Sequence, residues 1–80
     1  MSRARDVVEV VAKALAGSPD QVRVTEVERR GQLVVELAMA PGELGRVIGR
    51  QGRTATAVRT LAAAAGELDG QRVMVDFRDE

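Results

Sequence analysis

Val47-Ile48-Gly49-Arg50-Gln51-Gly52-Arg53 is the stretch on which the reading of the whole chain turns. Two glycines flank two polar residues, a spacing that permits a tight turn and lets the backbone come close to a ligand. Just before it, Leu44, Val47 and Ile48 stand at i, i+3 and i+4, the apolar stripe of a short helix ending at Gly49. Just after it, Ala55, Val58, Leu61, Ala62 and Ala65 form the stripe of a second helix, read as Arg53 to Ala65 with Gly66 as its stop. A turn that opens a helix meets the first N–H groups and the positive end of the dipole. Arg50 and Arg53 add full positive charges at that end, where cations cost stability unless an anion binds. The combination points to a polyanion, with a phosphate backbone the natural candidate.

The charge distribution agrees. Twelve basic and twelve acidic residues cancel over the 80 residues. From Leu44 to Gly66, however, there are four arginines (Arg46, Arg50, Arg53, Arg59) and no acid. From Glu67 to the C-terminal Glu80, five acids outnumber two arginines. Phosphate contacts need a local patch and not a basic protein. Arg46 and Arg59 fit equally well as solvated helix residues or as phosphate contacts.

Two other glycine-rich anion motifs fail. A P-loop needs a glycine five residues before its Gly-Lys-Ser/Thr step; here Val47 stands at that position and Arg53 replaces the lysine. A dinucleotide fingerprint needs glycine at 47, 49 and 52 after a strand, whereas Val47 breaks it and a helix precedes it.

Working outward, Arg5 to Ala16 reads as a helix, with Val7, Val8, Val11, Ala14 and Leu15 at helical spacing. Asp6 suits its start, a left-handed Gly17 its end, and Pro19 cannot continue it. Gln21 to Glu28 reads as a strand in which Val27 falls out of phase, as a bulge or strand end near Thr25-Glu26 would produce. Arg29-Arg30-Gly31-Gln32 is a turn, with Gly31 available for positive φ. Leu33 to Ala40 alternates as a second, antiparallel strand. Pro41 and Glu43 suit the opening of the short helix. Glu67 to Gly70 is a loop, and Val73, Val75 and Phe77 mark a final strand. The order is α-β-β-α-α-β, an α+β domain spanning residues 1–80. The helical crossover makes the last two strands parallel, so the sheet is three-stranded and mixed, with the helices packed on one face.

Composition narrows the function. Eighty residues give one domain with one modest core. Without cysteine there are no disulfides or thiolate metal sites, and without histidine the commonest general base and metal ligand are missing. The remaining carboxylates show no catalytic or metal-binding spacing, so no enzyme, catalytic residue, metal or cofactor is expected. The N-terminus shows no targeting segment and no window is long and apolar enough for a membrane span, so a soluble, cytoplasmic protein is expected.

Val47 to Arg53 resembles the VIGxxG core signature of KH domains, whose GxxG loop clamps about four nucleotides. The element order resembles their type II arrangement. Over nearly all of its length the chain is similar to the KhpA family, small bacterial single-KH proteins. The match is carried by Pro19-Asp20, the hairpin, Ala40-Pro41 through Gly45, and Val47 through Arg53 leading to Val58-Arg59-Thr60-Leu61. That resemblance implies single-stranded RNA binding of low sequence specificity, as an RNA chaperone, through Gly49, Arg50, Gln51 and Gly52. Arg53, Arg46, Val47 and Ile48 would contribute, with one of the two aliphatic residues lining the groove beneath the bases. The resemblance further implies a homodimer, or a heterodimer with a KhpB (Jag/EloR)-type KH protein, and a link to cell division, elongation and shape. The alternative is a protein-interaction adaptor with the same fold. Phe77 is the only aromatic residue, which disfavours modules that stack bases on aromatic rings.

Overall fold

A computed structural model describes residues 1–79, with side chains through Arg78. The chain forms α1 (Arg3–Leu15), a 3-10 turn (Pro19–Gln21), β1 (Arg23–Arg29), β2 (Gln32–Met39), α2 (Gly45–Ile48), a second 3-10 turn (Arg50–Gly52), α3 (Arg53–Leu68) and β3 (Arg72–Asp79). Strand order is β1-β2-β3, with β1 antiparallel and β3 parallel to the central strand. This is the expected α-β-β-α-α-β fold with its mixed sheet.

The strand pattern follows from one buried face. Val24, Leu33, Val35, Leu37, Met39 and Val75 point inward and meet Ala4, Val8 and Ala12 of α1 and Val58, Ala62 and Ala65 of α3. Leu37, Met39, Val8, Val35 and Val47 are fully buried, each stabilising the fold by about 1.5–3 kcal/mol. The opposite face of the sheet carries no helix, and Val27 and Met74 are exposed on it.

Several local expectations are corrected. β1 pairs with β2 without interruption from Arg23 to Arg29, so there is no bulge; Val27 simply lies on the open face, opposite Val34. α1 begins two residues early because the Ser2 hydroxyl accepts from the Arg5 N–H at 3.0 Å. Gly17 is not left-handed: the chain leaves α1 through an extended Ala16. A side chain at Gly17 would instead run into Glu43 and Arg46. Pro41 does not open α2. The Glu43 N–H closes a turn onto the Ala40 carbonyl at 3.0 Å, Gly42 is left-handed at φ 82°, and the helix starts at Gly45.

The largest correction concerns Gly66. It lies inside α3, buried, and the helix runs on to Leu68 before Gly70 (φ 68°) turns the chain into β3. Gly66 is needed for space: an added Cβ would collide with Val73 Cγ2 and sit 2.9 Å from the Gln71 carbonyl oxygen. Leu61, placed on the buried stripe by its spacing, is instead half exposed.

α1 and α3 lie side by side, and the Arg3 N–H donates to Asp69 Oδ2 at 3.2 Å, so the start of α1 meets the end of α3. Arg5 leans the other way. Its Nε donates to the Val24 carbonyl at 3.1 Å and its guanidinium pairs with Glu9, which blocks part of the outer edge of β1. Because α3 runs back along β3, its first turn lies at the opposite end of the molecule from the β1–β2 hairpin.

Candidate nucleic-acid interface

α2 is a single turn closed by the Gly49 N–H on the Gly45 carbonyl at 2.9 Å. Gly49 then takes φ 75°, ψ 175°, which swings the chain out of the helical path. That conformation is open only to glycine at low cost. Space imposes the same choice, since a Cβ at Gly49 would run into the Thr54 side chain. The Gly52 N–H reaches back to the Gly49 carbonyl at 3.2 Å and tightens the turn. Gln51 (φ 58°, ψ 23°) and Gly52 (φ 72°, ψ 14°) are both left-handed before the chain re-enters a helix at Arg53. At Gly52 only the backbone conformation demands glycine, because a Cβ there would meet nothing.

The result is a knuckle with two outward-facing polar residues. Arg50, Gln51 and Arg53 are exposed, Gly49 and Gly52 half buried. No side chain caps α3, so its first N–H groups have no side-chain partner. Among the described residues, Arg46, Arg50 and Arg53 take part in no ion pair, whereas Arg3, Arg5, Lys13 and Arg78 each do. The loop thus combines unpaired guanidinium groups, a helix dipole and backbone free of bulky side chains, all of which favour an anion.

Val47 and Ile48 are separated by burial. Val47 is 0% exposed beneath the turn and belongs to the core, so its side chain is out of reach of any ligand. Ile48 is half buried beside the loop and is the aliphatic surface available there. Arg46 projects to the other side of α2, where its guanidinium lies against Gly17 beside the Glu43 carboxylate; that carboxylate accepts from the Ser18 N–H at 3.1 Å. The structure therefore gathers Ile48 through Arg53 at one place and sets Arg46 and Val47 apart.

Sequence reasoning missed Thr54, which fills the space a Gly49 side chain would need, and Thr56, whose hydroxyl donates to the Gly52 carbonyl at 3.0 Å. It also missed that Arg59 lies over the Phe77 ring, 4.8 Å from its centroid. Among the described residues, no three His, Cys, Asp or Glu side chains converge on a metal position, and no helix is long and apolar enough to cross a membrane.

A Gly-x-x-Gly turn between two helices, on a sheet whose first pair is antiparallel and whose last pair is parallel across those helices, defines a KH domain of type II order. The comparisons with known proteins are specific. The sequence model of the family described as "KhpA/KhpB, KH domain" matches residues 5–77. The RNA-binding protein KhpA of Aquifex aeolicus is 49% identical over 77 residues, covering 96% of this chain and 98% of that one. Its namesake in Caldanaerobacter subterraneus is 44% identical over 72 residues, covering 90% and 96%. The one in Mycobacterium tuberculosis H37Rv is 45% identical over 74, covering 92% and 89%. Among solved structures, Era in complex with MgGDPNP and nucleotides 1506–1542 of 16S ribosomal RNA aligns with a TM-score of 0.65. That match covers 95% of this chain and 29% of that one at 22% identity, a likeness of fold. The chain belongs to the KhpA/KhpB family of KH domains.

Proposed function

We propose that this protein binds single-stranded RNA, with the Gly49–Gly52 loop holding the sugar-phosphate backbone. One observation carries the proposal: three left-handed residues (Gly49, Gln51, Gly52) present exposed Arg50 and Gln51 at the uncapped start of α3. Arg50 supplies charge, the N–H groups of Arg50 and Gln51 supply directional donors, and Arg53 assists from the first turn. Ile48 offers an aliphatic patch for a base. The KhpA proteins it resembles are named as RNA-binding proteins, which supports the same reading.

A loop that grips backbone and reads few base edges gives modest affinity and low sequence selectivity, properties that suit an RNA chaperone. By family resemblance, the physiological setting is the cytoplasm and the control of cell division and shape. A second feature supports self-association or pairing with a KhpB-type KH protein. Beside the α1–α3 contact, Val10, Leu61 and Leu68 are exposed, and Val7 and Val11 are half buried. The shallow depression lined by Asp6, Val7, Val10 and Val11 lies in this apolar strip. Covering such a strip adds burial that an 80-residue core needs.

The RNA reading is tested by measuring binding of a single-stranded oligonucleotide, and of the matching duplex, across a salt series. The single strand is expected to bind more tightly. The plot of log K against log salt is expected to slope at about −2 to −3, the value for three to four phosphates on a single strand. Absence of binding, or an affinity indifferent to salt, refutes it.

A further inference from the structure

Gly52, Thr56 and Arg59 stand at i, i+4 and i+7, so they share one stripe of α3. The hydroxyl of Thr56 donating to the Gly52 carbonyl ties the first turn of that stripe to the loop. Arg59 follows about 10 Å along the axis from Gly52. There its guanidinium carbon lies 4.8 Å from the centre of the Phe77 ring on β3. Phe77 is the only aromatic residue of the chain and is half buried at the edge of the core. Arg59 is exposed and, among the described residues, pairs with no carboxylate.

This arrangement does to an arginine what a binding site requires. A long, flexible side chain is laid across a fixed ring, so less rotamer freedom is lost when a ligand arrives. The guanidinium lies over the Phe77 ring while the residue stays exposed to solvent. Guanidinium planes are among the surfaces on which unstacked RNA bases are held. Carboxylate pairing would have consumed the charge and the donors, and among the described residues no carboxylate pairs with Arg59.

We propose that the Arg59 guanidinium, backed by Phe77, is the seat for one unpaired nucleobase of a strand whose backbone is held at Gly49–Gly52. This rests on the RNA-binding reading above and goes beyond it by assigning a base contact. The seat accepts any base by its face. It favours purines, whose larger ring system covers more of the guanidinium.

The test uses the full chain and two strands of equal length: octa-adenylate, and a ribose-phosphate octamer lacking all bases. With 15N-labelled protein, the amides of Arg50–Arg53 are expected to shift with both strands. The Arg59 Nε–H is expected to move upfield with octa-adenylate alone. By fluorescence anisotropy, R59K, which keeps the charge and loses the plane, is expected to weaken octa-adenylate binding about fivefold. It is expected to leave binding of the abasic strand unchanged. Equal weakening of both strands makes Arg59 a phosphate contact and overturns the proposal. So does an R59K variant that binds both strands as the wild type does, or an Arg59 Nε–H that shifts alike with both. If Arg59 responds to the bases while the loop amides stay still, the seat stands and the loop reading falls. If the wild type binds neither strand, both fall.

Discussion

Replacing Gly66 with alanine tests the packing account where two general tendencies oppose each other. Glycine inside a helix costs about 1 kcal/mol relative to alanine, so G66A would stabilise an exposed helix by that amount. Gly66, however, is buried, and the new methyl would sit 2.9 Å from the Gln71 carbonyl oxygen and collide with Val73 Cγ2. Overpacking costs about 1–3 kcal/mol, and two contacts under 3.0 Å, one to backbone that yields less than a side chain, put this case at about 2–3 kcal/mol. The steric term wins, and the net expectation is a loss of about 1–2 kcal/mol. For a domain of this size that lowers Tm by about 4–16 °C. Urea denaturation of G66A, V73A and the double variant separates the causes. V73A removes the obstructing methyl, so the double variant is expected to be more stable than the two single losses predict, with a coupling of about 1 kcal/mol. An unchanged or raised stability for G66A, or additive losses in the double variant, would refute the close-approach explanation.

Three further outcomes are expected. Arg30 and Gly31 occupy the two-residue hairpin turn at φ 53° and 78°, a type I′ geometry that costs arginine about 1 kcal/mol; R30N is expected to raise stability by about 0.5–1 kcal/mol in urea denaturation. Ser2 donates its N–H and hydroxyl to Glu26 Oε1 at 2.9 and 3.0 Å, holding that carboxyl below its usual range. A carboxylate depressed in the folded state contributes stability above its unfolded pKa and loses it as pH falls through the folded pKa. The advantage of wild type over E26Q, about 1 kcal/mol, is therefore full at pH 7 and shrinks below about pH 4; an advantage undiminished in denaturant titrations at pH 3 contradicts this. Finally, Leu61, half exposed on the apolar strip, is expected to lie in the dimer contact, so L61E should sediment as a monomer under conditions where wild type sediments as a dimer. A wild-type monomer at tens of micromolar would dismiss that surface.

The sheet was legible because strands with one buried face write a period of two, and Leu33, Val35, Leu37 and Met39 keep it without a slip. Helix ends were less so. Gly66 and Gly70 look alike in sequence, and only the position of Val73 across from α3 shows that the first is a contact and the second a stop. Leu61 fits the helical stripe by spacing, yet falls on its outer margin. At the site, Gly49 and Gly52 announce themselves, since few residues tolerate their conformations. The left-handed Gln51 does not, because its side chain gives no hint of it. Val47 and Ile48 are adjacent and equally apolar, so their division between core and surface emerges only from packing. Arg59 and Phe77 meet through the crossover of α3 onto β3, a juxtaposition that no local pattern encodes.

The central claim is that Gly49-Arg50-Gln51-Gly52 holds the backbone of RNA, and the double variant R50D/Q51D addresses it most directly. It removes one positive charge and adds two negative ones on exposed side chains, so the fold is expected to survive, as circular dichroism and thermal melting would verify. Titrated against a fluorescent single-stranded RNA at low salt, the wild type is expected to bind. The folded variant is expected to lose at least about tenfold in affinity, with a shallower salt slope because phosphate contacts are gone. A folded R50D/Q51D protein that binds RNA with wild-type affinity and wild-type salt dependence would contradict the account.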